Sequence, residues 1–320
     1  MQFTQQQLIG GHKYSSPAKI GNWQEDFAIE ESKRIKFERL SGTDCLLSKK
    51  LRIKLEKCEE VVLHTFSPDG FIRFGDSINL KHDLSGAILS CDTFCSTEAG
   101  VEQYPVSGSL GHTEAFARNT FHILRPPRNL KGVEDDDRDA ILRMGKAFCV
   151  GCNRVLLSNS SSSGLLPPLY LRSERKNERT STKRNNRQAV YLSSENNADT
   201  IWTAVIASKG RANAAHRFLS FGQPITNEDS FQITHRQTNM YLTCDPSSIE
   251  MSEFGPELQC FADRTMSTGR LCLLSSELNG TSTPQTLEKP DSPRFEWHFV
   301  TSADNAQSAI SDSTLIKDTS

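Results

Sequence analysis

The chain has 320 residues, 36% of them hydrophobic, and a formal net charge of −2. That length supports one large domain with sizeable extensions, and the near-neutral charge excludes a global attraction to nucleic acid or to an anionic membrane. No apolar window is long enough to cross a bilayer as a helix, and nine cysteines beside an N-terminus without signal-peptide character read as free thiols in a reducing compartment.

Residues 1–19 show no apolar periodicity and form the start of an N-terminal arm. The run Ile20-Gly21-Asn22-Trp23-Gln24-Glu25-Asp26 places a large indole far in sequence from any core segment. Residues 24–40 can be helical, with a thin apolar stripe. From Asp44, a favourable N-cap, Leu47, Leu51, Leu55, Cys58 and Val62 fall on one helical face, predicting a second helix packed on the domain that follows. Ser67-Pro68-Asp69-Gly70 is a turn. Arm and helices thus fill 1–66, the main domain 67–301, and a Ser/Asp/Thr-rich loose tail 302–320.

Three phrases then recur. The first is a period-two strand: Gly75-Asp76-Ser77-Ile78-Asn79-Leu80, Gly145-Lys146-Ala147-Phe148-Cys149-Val150 and Glu228-Asp229-Ser230-Phe231-Gln232-Ile233. The second ends in a small residue and an acid: Ala87 to Asp92, Leu169 to Glu174, Val190 to Glu195, Met240 to Asp245 and Cys272 to Glu277, always with Leu third. The third is Thr120 to Leu124, Ile201 to Val205 and Phe295 to Val300. Tyr104-Pro105-Val106 fills the one poorly written slot, weakened by Pro105. The result is three units of about four strands each, 75–125, 145–206 and 228–300. This pattern predicts a mainly β chain whose main domain is a β-trefoil (MIR-like), in which two strands per unit close a barrel and two form a capping hairpin. The expected core is Ile78, Leu80, Leu89, Phe148, Val150, Leu171, Leu192, Phe231, Ile233, Leu242, Leu274 and Trp297.

Catalytic signatures are missing from the sequence: there is no Gly-rich phosphate loop, no G-x-S-x-G and no H-E-x-x-H. The expectation is no enzyme, no cofactor and no metal. Cys149 and Cys152 form an isolated C-x-x-C; Cys149 reads as outward-facing and Cys152 as its opposite in parity. Cys91 and Cys244 read as tight packing positions. The repeated acids Asp92, Glu174, Glu195, Asp245 and Glu277 read as turn acids that accept backbone N–H bonds. His122 and His298 sit at strand ends and read as ordinary surface or core histidines. Glu134 to Asp139 is an acidic solvated linker between the first two units. Arg172, Arg175, Lys176, Arg179, Lys183, Arg184 and Arg187 outnumber Glu174 and Glu178, making the second hairpin locally basic, either as a solvated loop or as a finger for an acidic partner.

In shared order, Ile20 to Asp26, Asp69-Gly70-Phe71-Ile72-Arg73-Phe74-Gly75-Asp76, Arg118-Asn119-Thr120-Phe121, Gly145 to Gly151 and Val190-Tyr191-Leu192 resemble the cilia- and flagella-associated protein 161 family, across most of 14–303. The resemblance implies a structural protein of the ciliary or flagellar axoneme without catalytic residues. It would bind the luminal wall of the A-tubule of doublet microtubules near the seam, with tubulin and neighbouring microtubule inner proteins as partners and neither nucleic acid nor membrane. The sequence departs from the family in a Ser-rich insertion, Ser158 to Gly164, and in the long basic hairpin. Candidate partner-binding residues are Ile20, Asn22 and Trp23 in the arm and Arg175, Lys176, Arg179, Lys183 and Arg184 in the hairpin. The rival reading is a carbohydrate-binding trefoil, but Trp202 follows Thr200 and Trp297 follows Phe295, so no Gln-x-Trp is formed. A nucleic-acid reading lacks aromatics interleaved in the basic hairpin.

Overall fold

In a computed structural model the described residues are 25–43, 46–95, 102–111, 114–127, 140–157, 167–178, 180–182, 186–206, 218–264, 278–280 and 293–302. The chain divides into two compact units, Met1–Glu56 and Lys57–Ser320. Several expectations fall outside the described residues: residues 1–19, the N-cap Asp44, the acidic run 134–139, the insertion 158–164 and nearly all of the tail.

The first unit is helical. Helix α1, Glu25–Gly42, has acids at its start, Arg39 in its last turn and no proline, all favourable for a helix. Its Arg34–Glu38 pair is exposed and adds little. Helix α2 spans Leu47–Cys58 and carries an exposed Arg52–Glu56 pair. The expected buried stripe on α2 is corrected: Leu47 is 84% exposed, Leu51 and Ile53 are also exposed, and only Cys58 is buried. Val62 lies beyond the helix end, in an extended segment whose amide donates to the Ala115 carbonyl.

The second unit is mainly antiparallel β. Its strands are β1 Ser77–His82, β2 Ile88–Cys91, β3 Gln103–Ser109, β4 Thr120–Leu124, β5 Ala147–Cys152, β6 Tyr170–Ser173, β7 Gln188–Ser193, β8 Trp202–Ile206, β9 Phe231–His235, β10 Met240–Ser252, β11 Gly255–Asp263 and β12 Glu296–Val300. A short helix α3, Arg154–Leu157, follows β5, and a 3-10 turn spans Ala198–Thr200. The pairings β1–β4, β4–β5, β5–β8, β8–β9, β9–β12 and β12–β1 run in a circuit. Opposed residues such as Ile78 and Phe121, Ile123 and Val150, Ala204 and Ile233, and Leu80 and Phe299 line its interior, and all of them are fully buried or nearly so. The hairpins β2–β3, β6–β7 and β10–β11 meet through β3–β7, β7–β11 and β11–β3. In the described core, Ile78, Leu80, Leu89, Phe148, Val150, Leu171, Leu192, Phe231, Ile233, Leu242 and Trp297 are all at 0% exposure.

The second strand of the third hairpin is Gly255–Asp263, while Cys272 to Glu277, with Leu274, lies outside the described residues. The Leu-Ser-Ser-Glu text matched the repeat phrase, but Leu258, Cys260, Phe261 and Ala262 supply the buried side chains of that strand. The strand expected near Tyr104-Pro105-Val106 is β3, in which Pro105 sits opposite Tyr191 and its carbonyl accepts the Asp92 amide. The domain boundary also moves. Residues 57–66 belong with the β unit, since the amides of Arg118, Ala117 and Thr65 donate to Cys58, Glu60 and Ser77, and His64 bonds to Asn79 at 2.9 Å.

One end of the strand circuit is closed by three short segments. Ile72, Leu142 and Ile225, all fully buried, donate and accept in a cycle: Ile72 to Ile225 at 3.0 Å, Leu142 to Ile72 at 2.8 Å, and Ile225 to Leu142 at 3.0 Å. Asp76 and Asp229 brace two of these segments by accepting the Arg73 and Thr226 amides three residues back. Gly75 and Gly145, at φ +99 and +79, turn the chain from this plug into β1 and β5.

The strand ends carry a second repeated device. Trp202 and Trp297 donate their indole N–H groups to the carbonyls of Leu171 and Leu242, each at 2.9 Å. Against them lie the rings of His235 and His82, at 5.0 and 4.9 Å. His82 and His235 end β1 and β9 as Cys152 ends β5, and opposite Cys152 stands Phe121 where the other units have Trp.

Candidate interaction surfaces

The basic hairpin, expected as either a solvated loop or a finger for an acidic partner, spends two of its cations on its own domain. Arg172 is only 12% exposed at its side chain and binds Glu174 at 2.7 Å, Glu195 at 2.5 Å and Asp199 at 3.6 Å. Arg187 binds Asp263 at 3.0 Å. These two cations therefore tie the hairpin to its own domain. Arg175 and Lys176 are exposed. Hydrogen bonds from Thr180 to the Arg175 carbonyl, and from the Ala189 amide to the Thr180 carbonyl, shape the described part of the loop. Arg179, Lys183, Arg184, Ile20, Asn22 and Trp23 lie outside the described residues.

The repeated acids split into two kinds. Asp92 and Asp245 do accept backbone amides, from Phe94 and Ser247, each at 3.0 Å. Glu174 and Glu195 instead gather on Arg172, which corrects the uniform turn-acid expectation. Glu277 lies outside the described residues. Tyr191 donates to Glu174 at 2.7 Å. Burial and this bond push the Tyr191 phenol up, and burial raises the Asp199 carboxyl despite the opposing pull of Arg172. One guanidinium thus holds three carboxylates and fastens β6 to the 3-10 turn.

Cys149 and Cys152 are inert by their surroundings. Cys149, expected on the outward face of its strand, faces away from the main core and is fully buried there, packed with Ala147 and Ile201, its Sγ 3.8 Å from Thr200 Oγ1. Asn79 and Gln232, its counterparts in β1 and β9, are fully buried as well, because outer segments such as the one carrying His64 cover this side of the strands. Cys152 enters the main core. Their opposite directions prevent joint chelation, and burial raises the two thiols to about 11 and about 12, too high for a reactive thiolate near neutrality. Among the described residues no group of three His, Cys, Asp or Glu could hold a metal ion. His298 bonds to Asp83, which also accepts the Ser230 hydroxyl at 2.6 Å, while His122 is half-buried and its pKa lowered by that burial.

Two clefts among the described residues are open to the surface. One, of about 350 Å³, is lined by Arg187, Asp245, Ser247, Phe261 and Arg294. Burial alone would raise the Asp245 carboxyl, but Ser247 and the two arginines hold it below the usual range. Arg187 and Arg294 both reach Asp263, so the cleft is internally neutralised. The other, of about 290 Å³, is more apolar and is lined by Met144, Ile206, Leu219, Ser220, Gln223, Pro224 and Asp229. Beside it Phe218, Leu219 and Phe221 are 82%, 72% and 71% exposed.

Sequence reasoning missed the plug residues Ile72, Leu142 and Ile225, the Trp–His pairs, and the buried Arg118–Glu257 ion pair. Signals existed for the first two. Each plug residue precedes its unit's first strand by the same few positions, and His82 and His235 continue the period-two pattern of β1 and β9. Nothing in the sequence couples Arg118 to a residue so far along the chain.

No family model matches the chain. The chain is similar to cilia- and flagella-associated protein 161 of Bos taurus, at 25% identity over 272 residues, covering 81% of this chain and 78% of that protein. The same protein of Mus musculus is 24% identical over 273 residues, covering 78% and 81%, and that of Danio rerio 24% over 267 residues. Among solved structures, the SDF2-like protein from Arabidopsis thaliana aligns with TM-score 0.46 at 12% identity, over 72% of this chain and 94% of that one. A Caenorhabditis elegans protein of unknown function aligns with TM-score 0.45, also at 12% identity, over 74% and 99%.

Proposed function

Because this chain is a relative of the cilia- and flagella-associated protein 161 family, we propose that it is a non-enzymatic structural protein of the cilium or flagellum. In this reading it binds the luminal wall of the A-tubule of doublet microtubules near the seam. Tubulin and neighbouring microtubule inner proteins are its partners, and it stabilises the axoneme and supports motility. The observation that carries the reading is similarity spread over about four-fifths of both chains rather than confined to one motif. We also assign the main domain as a β-trefoil. That assignment is supported by the circuit of six strands, the three mutually paired hairpins and the three-membered plug.

A scaffold role agrees with where the polar chemistry is spent. Arg172, Glu174, Glu195 and Asp199 satisfy one another, and the described thiols of the C-x-x-C are buried and protonated. The lectin reading is not favoured. Trp202 and Trp297 are fully buried with their N–H groups bonded to backbone carbonyls, so neither offers a face to a sugar.

Salt extraction of isolated doublets tests the reading. The protein should remain with the doublets after detergent removes membrane and matrix. Changing Arg175, Lys176, Arg179 and Lys183 to Glu should lower the salt that releases it, since exposed charge contacts are screened over about 8 Å at physiological ionic strength. Full recovery of the unaltered protein in the detergent-soluble fraction would contradict the proposal. An unchanged release profile for the charge-reversed protein would remove the hairpin from the contacts.

A further inference from the structure

An apolar stripe on the main domain takes no part in the lumen-binding reading. Between Cys58 and the turn at Ser67 the chain runs extended along the outside of the strand circuit. The Val62 amide donates to the Ala115 carbonyl, the Thr65 amide to Ser77 and the Ala117 amide to Glu60, while the Ser77 amide donates to Thr65 Oγ1 at 2.9 Å. His64 is buried and bonded to Asn79. These bonds fix which side chains turn inward. Val61, Leu63 and Phe66 do not, and they are 68%, 88% and 67% exposed. A single exposed apolar residue is ordinary, but three large ones within six positions on a pinned backbone mark an interaction surface.

The chain itself returns to this stripe. β12 pairs with β1, placing Val300 opposite Asn79. Thr301 is buried, and Ser302 then donates its hydroxyl to the Thr65 carbonyl at 3.4 Å. The chain therefore leaves the described part of the domain beside Thr65, between Leu63 and Phe66. Beyond Ser302, outside the described residues, the sequence runs from Ala303 to Ser320, and its large apolar side chains are Ile310, Leu315 and Ile316. Length permits them to reach the stripe. Val61 to Phe66 covers about 17 Å of extended chain. From Ser302 to Ile310 the chain can extend by up to about 26–29 Å, so Ile310 can reach either end. In an extended tail Ile310 and Ile316 share a face and stand about 20 Å apart, close to the length of the stripe.

We propose that this tail folds back as a strap and lays Ile310, Leu315 and Ile316 over Val61, Leu63 and Phe66. Tethering selects this occupant. A short flexible link holds the tail at an effective concentration on the order of millimolar beside the stripe, far above that of a second copy or a separate protein at micromolar levels. A contact of only millimolar intrinsic affinity is then enough to close the strap. The inference is independent of the doublet-lumen role.

Photo-crosslinking in the full chain tests it. Leu63 is replaced by p-benzoylphenylalanine, a large apolar side chain that captures its neighbours on irradiation, and the adducts are mapped by mass spectrometry. The adduct should join position 63 to the segment 303–320 within one molecule, in a yield unchanged by dilution of the protein. The triple variant Ile310→Asp, Leu315→Asp, Ile316→Asp, made in the same full chain, should lower that yield by about tenfold or more, as expected when the apolar anchors are lost. All three positions lie beyond the last strand, so this variant should keep the parent's far-ultraviolet circular dichroism, which separates a lost contact from a lost fold. Adducts that link two molecules would place a second copy on the stripe and overturn the proposal. So would adducts confined to other parts of the chain, no adduct at all, or a yield that the triple variant leaves unchanged.

Discussion

Acidification below about pH 6.5 should destabilise the main domain through two buried histidines, His235 and His82. His235 is fully buried, with Nδ1 bonded to Thr238 and Nε2 to the Asp199 carbonyl, and its ring lies against Trp202. Burial depresses its pKa from 6.5 to about 4, with the bond to Asp199 opposing. His82 repeats the arrangement against Trp297, bonded to Ser85 and to the Arg294 carbonyl, and burial lowers its pKa as well. Above the unfolded pKa of 6.5 both states are neutral and nothing is lost. As pH falls below that value the unfolded chain takes up protons that the folded state refuses, and stability drops until the folded pKa of about 4 is reached. For His235 alone the loss approaches about 3 kcal/mol, since each pH unit between the two pKa values costs about 1.4 kcal/mol. His82 adds to it in the same direction. Denaturant unfolding at about pH 7.5 and about pH 4.5 measures the effect. The double variant His82→Gln, His235→Gln should be less stable at the higher pH yet lose far less between the two. Equal stability of the parent at both values would show that these rings are protonated in the folded protein.

The second large effect concerns Arg118. Its side chain is 1% exposed, paired with Glu257 of β11 and stacked over the Phe254 ring at 3.8 Å. Its amide donates to Cys58, and its carbonyl accepts from Cys91, so the residue joins three distant stretches of chain. A buried ion pair adds little net stability, because desolvation offsets attraction, but removing one partner strands the other. Arg118→Met should therefore cost about 3–5 kcal/mol by leaving Glu257 buried and unpaired. Arg118→Met combined with Glu257→Met should recover much of that loss. A double-mutant cycle by denaturant unfolding measures the coupling. Additive losses would show that the pair does not interact as described.

These two sites show why the sequence was legible in some places and opaque in others. The strands of the circuit could be read because large apolar side chains alternate with polar or smaller ones, so Ile78 and Leu80, Phe148 and Val150, and Phe231 and Ile233 carry their own signal. Some hairpin strands, such as Ile88–Cys91, are short and bury every residue, so alternation is lost there and only the Leu of the phrase remains as a guide. Helical periodicity in Leu47 to Val62 overreached for a different reason. Spacing says which side chains share a face but not whether anything covers them, and Leu47 remains exposed. The charges of the second hairpin were legible as a count but not as a geometry. Arg172 and Arg187 look identical in sequence to Arg175, yet acids from Glu195, Asp199 and Asp263 consume them.

The most direct measurement of the central claim is a pair of cryo-electron microscopy maps of ciliary doublets, from cells with and without this protein. The account predicts one difference density on the luminal wall of the A-tubule near the seam. It should fit the twelve-stranded sheet of the main domain and return when the full chain is restored. Identical luminal maps, or a difference confined to the outer surface of the doublet or to the ciliary membrane, would contradict it.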